Sequence, residues 1–215
     1  MPLFITFEGP DGSGKTTQIQ ALYEYLKGRG YTILLTHEPG GTDIGERIRE
    51  VLHDLENVAM LPKTEVLLFS ASRAQIVGEV IRPALERGEI VICDRYADST
   101  IAYQGYGHGL DLDLLRTITN FATGGLKPDL TIYLDIDAEE GLRRKRKAFL
   151  AGEAEWTRMD QKEVAFHRRV RAGYLEMAAA EPGRWVVLDA TRPMAEIQQA
   201  IRREVDRILE AKGLA

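Results

Sequence analysis

The sequence predicts an α/β fold in which one parallel sheet is covered by helices on both faces. Short apolar segments alternate along the chain with longer segments whose apolar residues recur at helical spacing. The short segments are apolar on both faces, which is typical of parallel strands joined by right-handed helical crossovers. With 215 residues, 44% hydrophobic and 28% charged, the chain suffices for a single substantial core.

The individual elements follow from these two kinds of segment. Short runs rich in β-branched residues and bounded by turn-forming residues are interpreted as buried strands. The predicted strands are residues 3–7, 32–35, 90–93, 130–134 and 185–188. Segments with apolar residues three and four positions apart are interpreted as helices that cover the sheet. The predicted helices are residues 16–27, 44–55, 64–87, 112–122, 139–150, 161–180 and 195–209.

Composition excludes several classes of protein. The formal net charge of −5 argues against a protein that coats a nucleic-acid backbone, because such binding needs a broad basic surface. No apolar run approaches the roughly 20 residues that span a bilayer, and the chain does not start like a signal peptide, so we expect a cytoplasmic protein without a membrane partner. The single cysteine, Cys93, lies in an apolar run and is expected to be structural.

A phosphate-binding loop follows the first predicted strand. The match to the pattern G-x-x-x-x-G-K-[ST] is complete, in Gly9, Pro10, Asp11, Gly12, Ser13, Gly14, Lys15 and Thr16. In such a loop backbone N–H groups converge on phosphate, Lys15 reaches the β- and γ-phosphates, and Thr16 can ligate Mg²⁺. The sequence therefore predicts a nucleoside-triphosphate site with Mg²⁺ and the three-layer sandwich of P-loop NTPases.

A second polar pair ends the third predicted strand. Asp94 occupies the place where P-loop proteins commonly have an acid that orders Mg²⁺, and a cap on a following helix is the less favoured alternative. Arg95 follows it and suits a second anion beside the loop. A GTPase switch is disfavoured because the chain lacks the guanine-reading N-K-x-D pattern. A regulatory ATP-binding protein stays open as an alternative.

Several blocks in order along the chain resemble the thymidylate kinase family. They are residues 7–18, 38–42, 94–105 and 134–135. The resemblance implies a single domain over residues 1–215, with sheet order 2-3-1-4-5, that transfers the γ-phosphate of ATP to dTMP for dTTP synthesis. It also implies a homodimer. Another nucleotide or deoxynucleoside kinase of the same fold is the alternative enzyme.

The resemblance assigns roles in the acceptor pocket. It implies that Asp11 meets the 3′-hydroxyl of dTMP, that Phe69 stacks on thymine and that Arg73 binds a thymine carbonyl. Tyr103 would lie against the sugar and exclude a 2′-hydroxyl. From the residues alone, Phe69 would be a core residue and Arg73 a solvated charge on a helix.

Further residues are assigned to the base and the phosphate of the acceptor. By resemblance, Ser99 and Gln104 would contact the base edge, while Arg49 and Arg95 would hold the acceptor phosphate. Arg95 and Lys15 are then also catalytic, because phosphoryl transfer needs two anions in line and their charge neutralised.

A mobile lid is expected over residues 143–160. The loop 9–15 has no arginine. Family members whose loop lacks an arginine resemble enzymes that carry their catalytic arginines in the lid, often in the pattern R-x-R-x-R. Arg144 and Arg146 fit this spacing, the third place is an alanine, and Arg158 is the candidate for the missing cation. The alternative is a basic helix end that faces solvent.

Overall fold

The computed structural model describes residues 2–213 and has a five-stranded parallel sheet in the order β2-β3-β1-β4-β5. The strands are β1 Leu3–Glu8, β2 Ile33–His37, β3 Ile90–Asp94, β4 Leu130–Asp135 and β5 Trp185–Asp189. The predicted strands and their order are confirmed. Each strand extends one or two residues further at its carboxyl end, where polar side chains lie that an apolar pattern cannot include.

Helices connect the strands. They are α1 Lys15–Gly28, α2 Asp43–His53, α3 Pro62–Ile76, α4 Arg82–Glu86, α5 Ala97–Thr100, α6 Leu112–Thr123, α7 Ala138–Leu150, α8 Val164–Ala180 and α9 Met194–Ala211. The predicted helix 64–87 is interrupted by a π-helical segment, Val77–Ile81. The wider turn precedes Pro83, which has no N–H and whose ring crowds the preceding helical turn. A second π-helical segment, Ile101–Gly107, continues α5.

The two faces of the sheet are covered by different helices. Leu3, Ile5 and Phe7 of β1 pack in one core cluster with α1 and α9. Phe4, on the opposite face of the same strand, packs with the end of α3 and with Cys93, which is fully buried as expected. No helix in the described part of the chain, residues 2–213, is long and apolar enough to cross a membrane.

Candidate active site

A cavity of about 800 Å³ opens where β1, β2 and β3 end. The phosphate-binding loop, the ends of β2 and β3, the helical segment after Tyr96, and α7 with the residues that follow it all line this cavity. Ligands of open α/β sheets bind at the carboxyl ends of the strands, so the cavity lies where such a fold places its site.

The phosphate-binding loop adopts a backbone that needs glycine. Gly9, Gly12 and Gly14 have φ values of 143°, 80° and 90°, which residues with a Cβ rarely adopt. A Cβ on Gly12 would also lie 2.3 Å from the carbonyl oxygen of Gly141 and 3.0 Å from the backbone N of Lys145. The loop therefore lies directly against α7, and glycine permits this contact.

The side chain of Lys15 folds back onto the phosphate-binding loop. Its Nζ donates to the carbonyl oxygens of Gly9 at 3.1 Å and Pro10 at 3.3 Å, and it lies 3.8 Å from Asp11 Oδ1. Burial, followed by the charge of Arg95, lowers the pKa of Lys15. The ammonium group thus lies within the loop, where the phosphates of a nucleotide bind in such motifs.

Arg95 donates hydrogen bonds to three other residues that were predicted to bind the acceptor nucleotide. Its Nη2 donates to Asp11 Oδ1 at 3.0 Å and to Tyr103 Oη at 3.3 Å, while Nη1 donates to Ser99 Oγ at 3.3 Å. The guanidinium lies over the Tyr103 ring, 5.1 Å from its centroid. Arg95 has a φ of 67°, a conformation that costs roughly 1 to 3 kcal/mol for a residue other than glycine. The structure thus brings together four residues that sequence had linked.

Glu8 supports this arrangement and was missed by the sequence prediction. Its Oε1 accepts from the backbone N of Tyr96 at 2.9 Å, directly after Arg95. Its Oε2 accepts from Ser99 Oγ and from Tyr174 Oη, each at 2.7 Å. Burial is the main cause that raises the pKa of Glu8. Glu8 lies within the matching block 7–18 but was assigned no role, because the predicted first strand ended one residue before it.

Asp94 and Thr16 both line the cavity, and their side-chain oxygens are of the kind that Mg²⁺ takes as ligands. Asp94 Oδ1 is buried and has no hydrogen-bond partner among the described residues. Asp94 does not cap α5, since the N-cap of that helix is Tyr96 and makes no side-chain cap bond. Within residues 2–213, no group of three or more His, Cys, Asp or Glu side chains could hold a metal. A cation here would therefore need hydroxyl, phosphate and water ligands, the set that Mg²⁺ prefers.

Phe69 and Arg73 differ in their access to the cavity. Phe69 is half-buried and lines it. Arg73 is 1% exposed, so its interpretation as a solvated charge is wrong. Its Nε donates to Glu38 Oε2 at 2.7 Å, and its other two nitrogens donate to Thr100 Oγ1 and to the carbonyl oxygen of Tyr96. Arg73 therefore lies behind the cavity wall, held by a buried ion pair.

The other acceptor residues line the cavity. Ser99, Tyr103, Gln104 and Arg49 all do so. Tyr103 is 8% exposed, and burial raises its pKa to about 12. Arg49 Nη1 donates to the carbonyl oxygen of Pro39 at 3.0 Å. These positions are compatible with the contacts implied by the family resemblance.

Of the three predicted lid arginines, one lines the cavity. Arg144 does, and its guanidinium also donates to Glu140 Oε1 and to the carbonyl oxygen of Ala190. Arg146 is exposed and does not line the cavity. Arg158 is 4% exposed and donates to Glu65 Oε2 at 2.5 Å, away from the cavity. The structure thus does not bring Arg146 and Arg158 to the site.

Lys145 lines the cavity instead. Its Nζ lies 4.0 Å from Asp11 Oδ2 and 3.9 Å from Asp160 Oδ2. Lys145 follows Gly141 by four residues, so both share the helix face that packs on the phosphate-binding loop. The glycine inside a predicted helix was the one sequence signal that could have identified this face.

Comparisons with known proteins agree with this geometry. The family model for thymidylate kinase matches residues 7–201. A thymidylate kinase of Roseiflexus castenholzii is 56% identical, over 97% of this chain and 95% of the relative. One of Deinococcus radiodurans is 55% identical, over 93% and 94%. A crystal structure of thymidylate kinase from Ehrlichia chaffeensis has a TM-score of 0.76 and 34% identity, covering 95% of this chain and 98% of its own. The chain belongs to the thymidylate kinase family.

Proposed function

We propose that the chain transfers the γ-phosphate of ATP to dTMP, with dTDP and ADP as products. One observation carries the proposal: a complete phosphate-binding loop and a second anion site, Arg95, share one cavity and are bridged by Asp11 at 3.0 Å from Arg95. An enzyme whose acceptor is already phosphorylated needs two adjacent anion sites. Family membership supplies the name of the acceptor.

The donor half of the site is the phosphate-binding loop. Lys15 and the loop N–H groups bind the β- and γ-phosphates of ATP. Thr16 and Asp94 are the residues that would hold Mg²⁺, in agreement with the unpartnered Asp94 Oδ1. When bound, Mg²⁺ neutralises charge on the phosphate oxygens during transfer.

The acceptor half surrounds Arg95. Arg95 and Arg49 hold the phosphate of dTMP, and one of its oxygens attacks the γ-phosphorus. That phosphate is largely ionised at neutral pH, so no strong general base is needed. Asp11 accepts from the 3′-hydroxyl, and Tyr103 fills the space beside the 2′-carbon.

Base recognition and the lid complete the assignment. Phe69 stacks on thymine, and Ser99 and Gln104 contact its edge. Arg73 does not line the cavity and supports its wall through the ion pair with Glu38. The segment 143–160 acts as a lid that excludes water during transfer. We assign charge stabilisation to Arg144 and to Lys145, because both line the cavity.

ADP release from ATP tests the proposal with one acceptor at a time. We expect dTMP to be the best acceptor, dUMP poorer, and dGMP nearly inert, since the pocket must bind a pyrimidine with two carbonyls. Thymidine as the better acceptor would identify a deoxynucleoside kinase. Equal turnover of dGMP and dTMP would reject thymidylate specificity, and ATP binding without any turnover would indicate a regulatory protein.

We also propose that the chain forms a homodimer through α2, α3 and α6. Both α2 and α6 pack against α3. The three helices carry exposed apolar side chains, among them Val51 at 45%, Leu67 at 60% and Phe121 at 88% exposure. A cluster of exposed apolar residues on neighbouring helices favours an interface with another protein surface. The cytoplasmic location remains a prediction.

A further inference from the structure

Glu65 is a buried carboxylate on α3 that joins three distant parts of the chain beside the cavity. It is 1% exposed. Its Oε2 accepts from Arg158 Nη2 at 2.5 Å, and its Oε1 accepts from Gln104 Nε2 at 2.7 Å. His108 Nε2 lies 3.2 Å from the same Oε1. Gln104 is the member of this group that lines the cavity.

The carboxyl group of Glu65 is ionised at neutral pH. Burial by itself would raise its pKa, but this is outweighed by the nearby His108 side chain, by hydrogen bonds from Gln104 and Arg158 and by the charge of Arg158, so the pKa of Glu65 is lowered to about 2. An ionised carboxylate has acceptor atoms only. The part of the Gln104 side chain that faces Glu65 must therefore be the NH₂ group.

This pairing decides the orientation of the Gln104 amide. The O and N of an amide are usually hard to distinguish, and a neutral environment tolerates either orientation. Here a carboxylate 2.7 Å from Nε2 accepts only the donor end. The carbonyl oxygen Oε1 of Gln104 is consequently turned away from Glu65 and is the end available to a bound base.

We propose that Glu65 is a positioning residue for base recognition: it holds Gln104 so that the amide oxygen accepts from the N3–H of thymine. The inference rests on the proposed function, because it needs dTMP in the cavity. Thymine and uracil carry an N–H at ring position 3, whereas cytosine carries a lone pair there. An acceptor at Gln104 thus favours dTMP and dUMP and disfavours dCMP, while a reversed amide would lose this distinction.

Arg158 acts in the same arrangement through Glu65. It is 4% exposed and, like Glu65, does not itself line the cavity. Its guanidinium supplies the charge that keeps the carboxylate ionised, and removing one partner of a buried pair leaves the other charge uncompensated. Arg158 follows α7 and is a second positioning residue. Through Glu65 it connects the proposed lid segment to Gln104.

Glu65→Gln is the direct test, with saturating Mg-ATP and either dTMP, dUMP or dCMP. A carboxamide at position 65 donates as well as accepts, so Gln104 can reverse. The ratio of kcat/KM for dTMP to that for dCMP should fall about tenfold or more, the size of one lost hydrogen bond in a buried site. The dTMP to dUMP ratio should stay unchanged, because both bases present N3–H.

Glu79→Gln is the matched control. Glu79 Oε2 also accepts from a glutamine, Gln75 Nε2, at 2.7 Å, but this pair is exposed on the surface. The variant should keep the wild-type dTMP to dCMP ratio. A loss of discrimination in Glu79→Gln equal to that in Glu65→Gln would overturn the proposal, because it would show that any such substitution has this effect.

A second variant distinguishes a specific effect on base recognition from misfolding. Glu65→Gln combined with Arg158→Gln removes both charges, so no unpaired ion stays buried. A variant that melts like the wild type but keeps the dTMP to dCMP ratio of kcat/KM would contradict the inference. So would a variant that loses activity on both acceptors by one common factor. Either result would show that Glu65 is only structural.

A ligand-side measurement needs no variant. N3-methyl-dTMP, which has no N3–H, should bind the wild-type protein at least about tenfold more weakly than dTMP. Equal affinity would contradict the assigned contact. These outcomes are distinct from failure of the proposed function, which would show as a wild-type protein that does not phosphorylate dTMP.

Discussion

At the scale of single residues, the charged side chains of the cavity form a connected series of opposite charges. Arg95, Lys15 and Lys145 all approach the carboxylate of Asp11, at 3.0, 3.8 and 4.0 Å. Burial would raise the pKa of Asp11, but these three cations together hold it well below its ordinary value. Asp11 therefore remains ionised throughout the neutral range and keeps the cations close together where two phosphates must meet.

Lys145 and Arg146 provide a residue-scale test of which lid cation acts on the transferring group. We expect Lys145→Ala to lower kcat on the order of 10²-fold, because it removes a cation that lines the cavity. The dTMP dissociation constant should stay near the wild-type value. Arg146→Ala should have nearly wild-type kcat, since Arg146 is exposed. Steady-state kinetics measures kcat, and equilibrium binding measures the dissociation constant of dTMP. A loss of kcat in Arg146→Ala but not in Lys145→Ala would support the catalytic role predicted for Arg146 from the sequence.

Tyr103 provides a second residue-scale test, of sugar recognition. Tyr103→Ala should narrow the ratio of kcat/KM for dUMP to that for UMP by about tenfold or more, because the space for a 2′-hydroxyl opens. Tyr103→Phe is the control. It retains the ring but removes the hydroxyl that accepts from Arg95 at 3.3 Å, so the ratio should hold while activity on both substrates falls. An unchanged ratio in Tyr103→Ala would show that the ring only fills the core.

At the scale of elements, α7 and the segment after it are attached at two points. The face with Gly141 rests on the phosphate-binding loop, where a Cβ on Gly141 would lie 3.1 Å from the carbonyl oxygen of Asp11. Beyond α7, Arg158 is bound to Glu65 of α3. The segment proposed as a lid therefore contacts both the phosphate-binding loop and α3.

The Glu65–Arg158 attachment predicts part of the acid sensitivity of the fold. Because the pKa of Glu65 is about 2 in the folded state, below its ordinary 4.5, the unfolded chain binds this proton more tightly. The stabilisation is complete above about pH 5 and is lost as the pH falls toward 2. Urea unfolding between pH 7 and pH 3 should show a shallower loss of stability in Glu65→Gln/Arg158→Gln than in the wild type, by up to about 2 kcal/mol. Parallel curves would contradict the assignment.

At the scale of the whole molecule, the sheet positions the cavity, and three outer helices carry the surface that we propose for dimerisation. The cavity lies at the carboxyl ends of β1, β2 and β3, while α2, α3 and α6 expose apolar side chains on the outside. The helix α3 also carries Glu65, Phe69 and Arg73. A partner that packs on α3 would therefore contact the helix whose residues line or support the proposed thymine site.

Phe121 tests the proposed homodimer. It is 88% exposed on α6, and Phe121→Glu should raise the dimer dissociation constant by about 30-fold or more, as expected when a large apolar contact is replaced by a charge. Light scattering after size exclusion measures the mass. Phe149→Glu, on α7 and outside the three helices, is the control and should remain dimeric. A monomeric wild type would reject the assembly.

Much of the fold could be read from the sequence, because its determinants are local. The predicted strands were found since parallel strands buried on both faces are continuously apolar. The phosphate-binding loop was found because its ligands come from consecutive backbone groups. Strand ends were less predictable. Glu8 closes β1 as a fully buried acid, and only the groups packed around it make that tolerable.

Tertiary structure alone decided which of the many cations reach the site. Neighbouring helical residues such as Lys145 and Arg146 differ by about 100° around the axis, so their roles depend on which face meets the loop. Arg158 and Glu65 are 93 residues apart, and their pairing follows from how the segment after α7 packs on α3. The sequence by itself thus determined the fold class, the ATP loop and the family, because these lie in local pattern and contiguous motifs. Packing between distant segments determined which side chains we assign to orienting the base and to stabilising the transferred phosphate, because burial and charge pairing arise only once those segments meet.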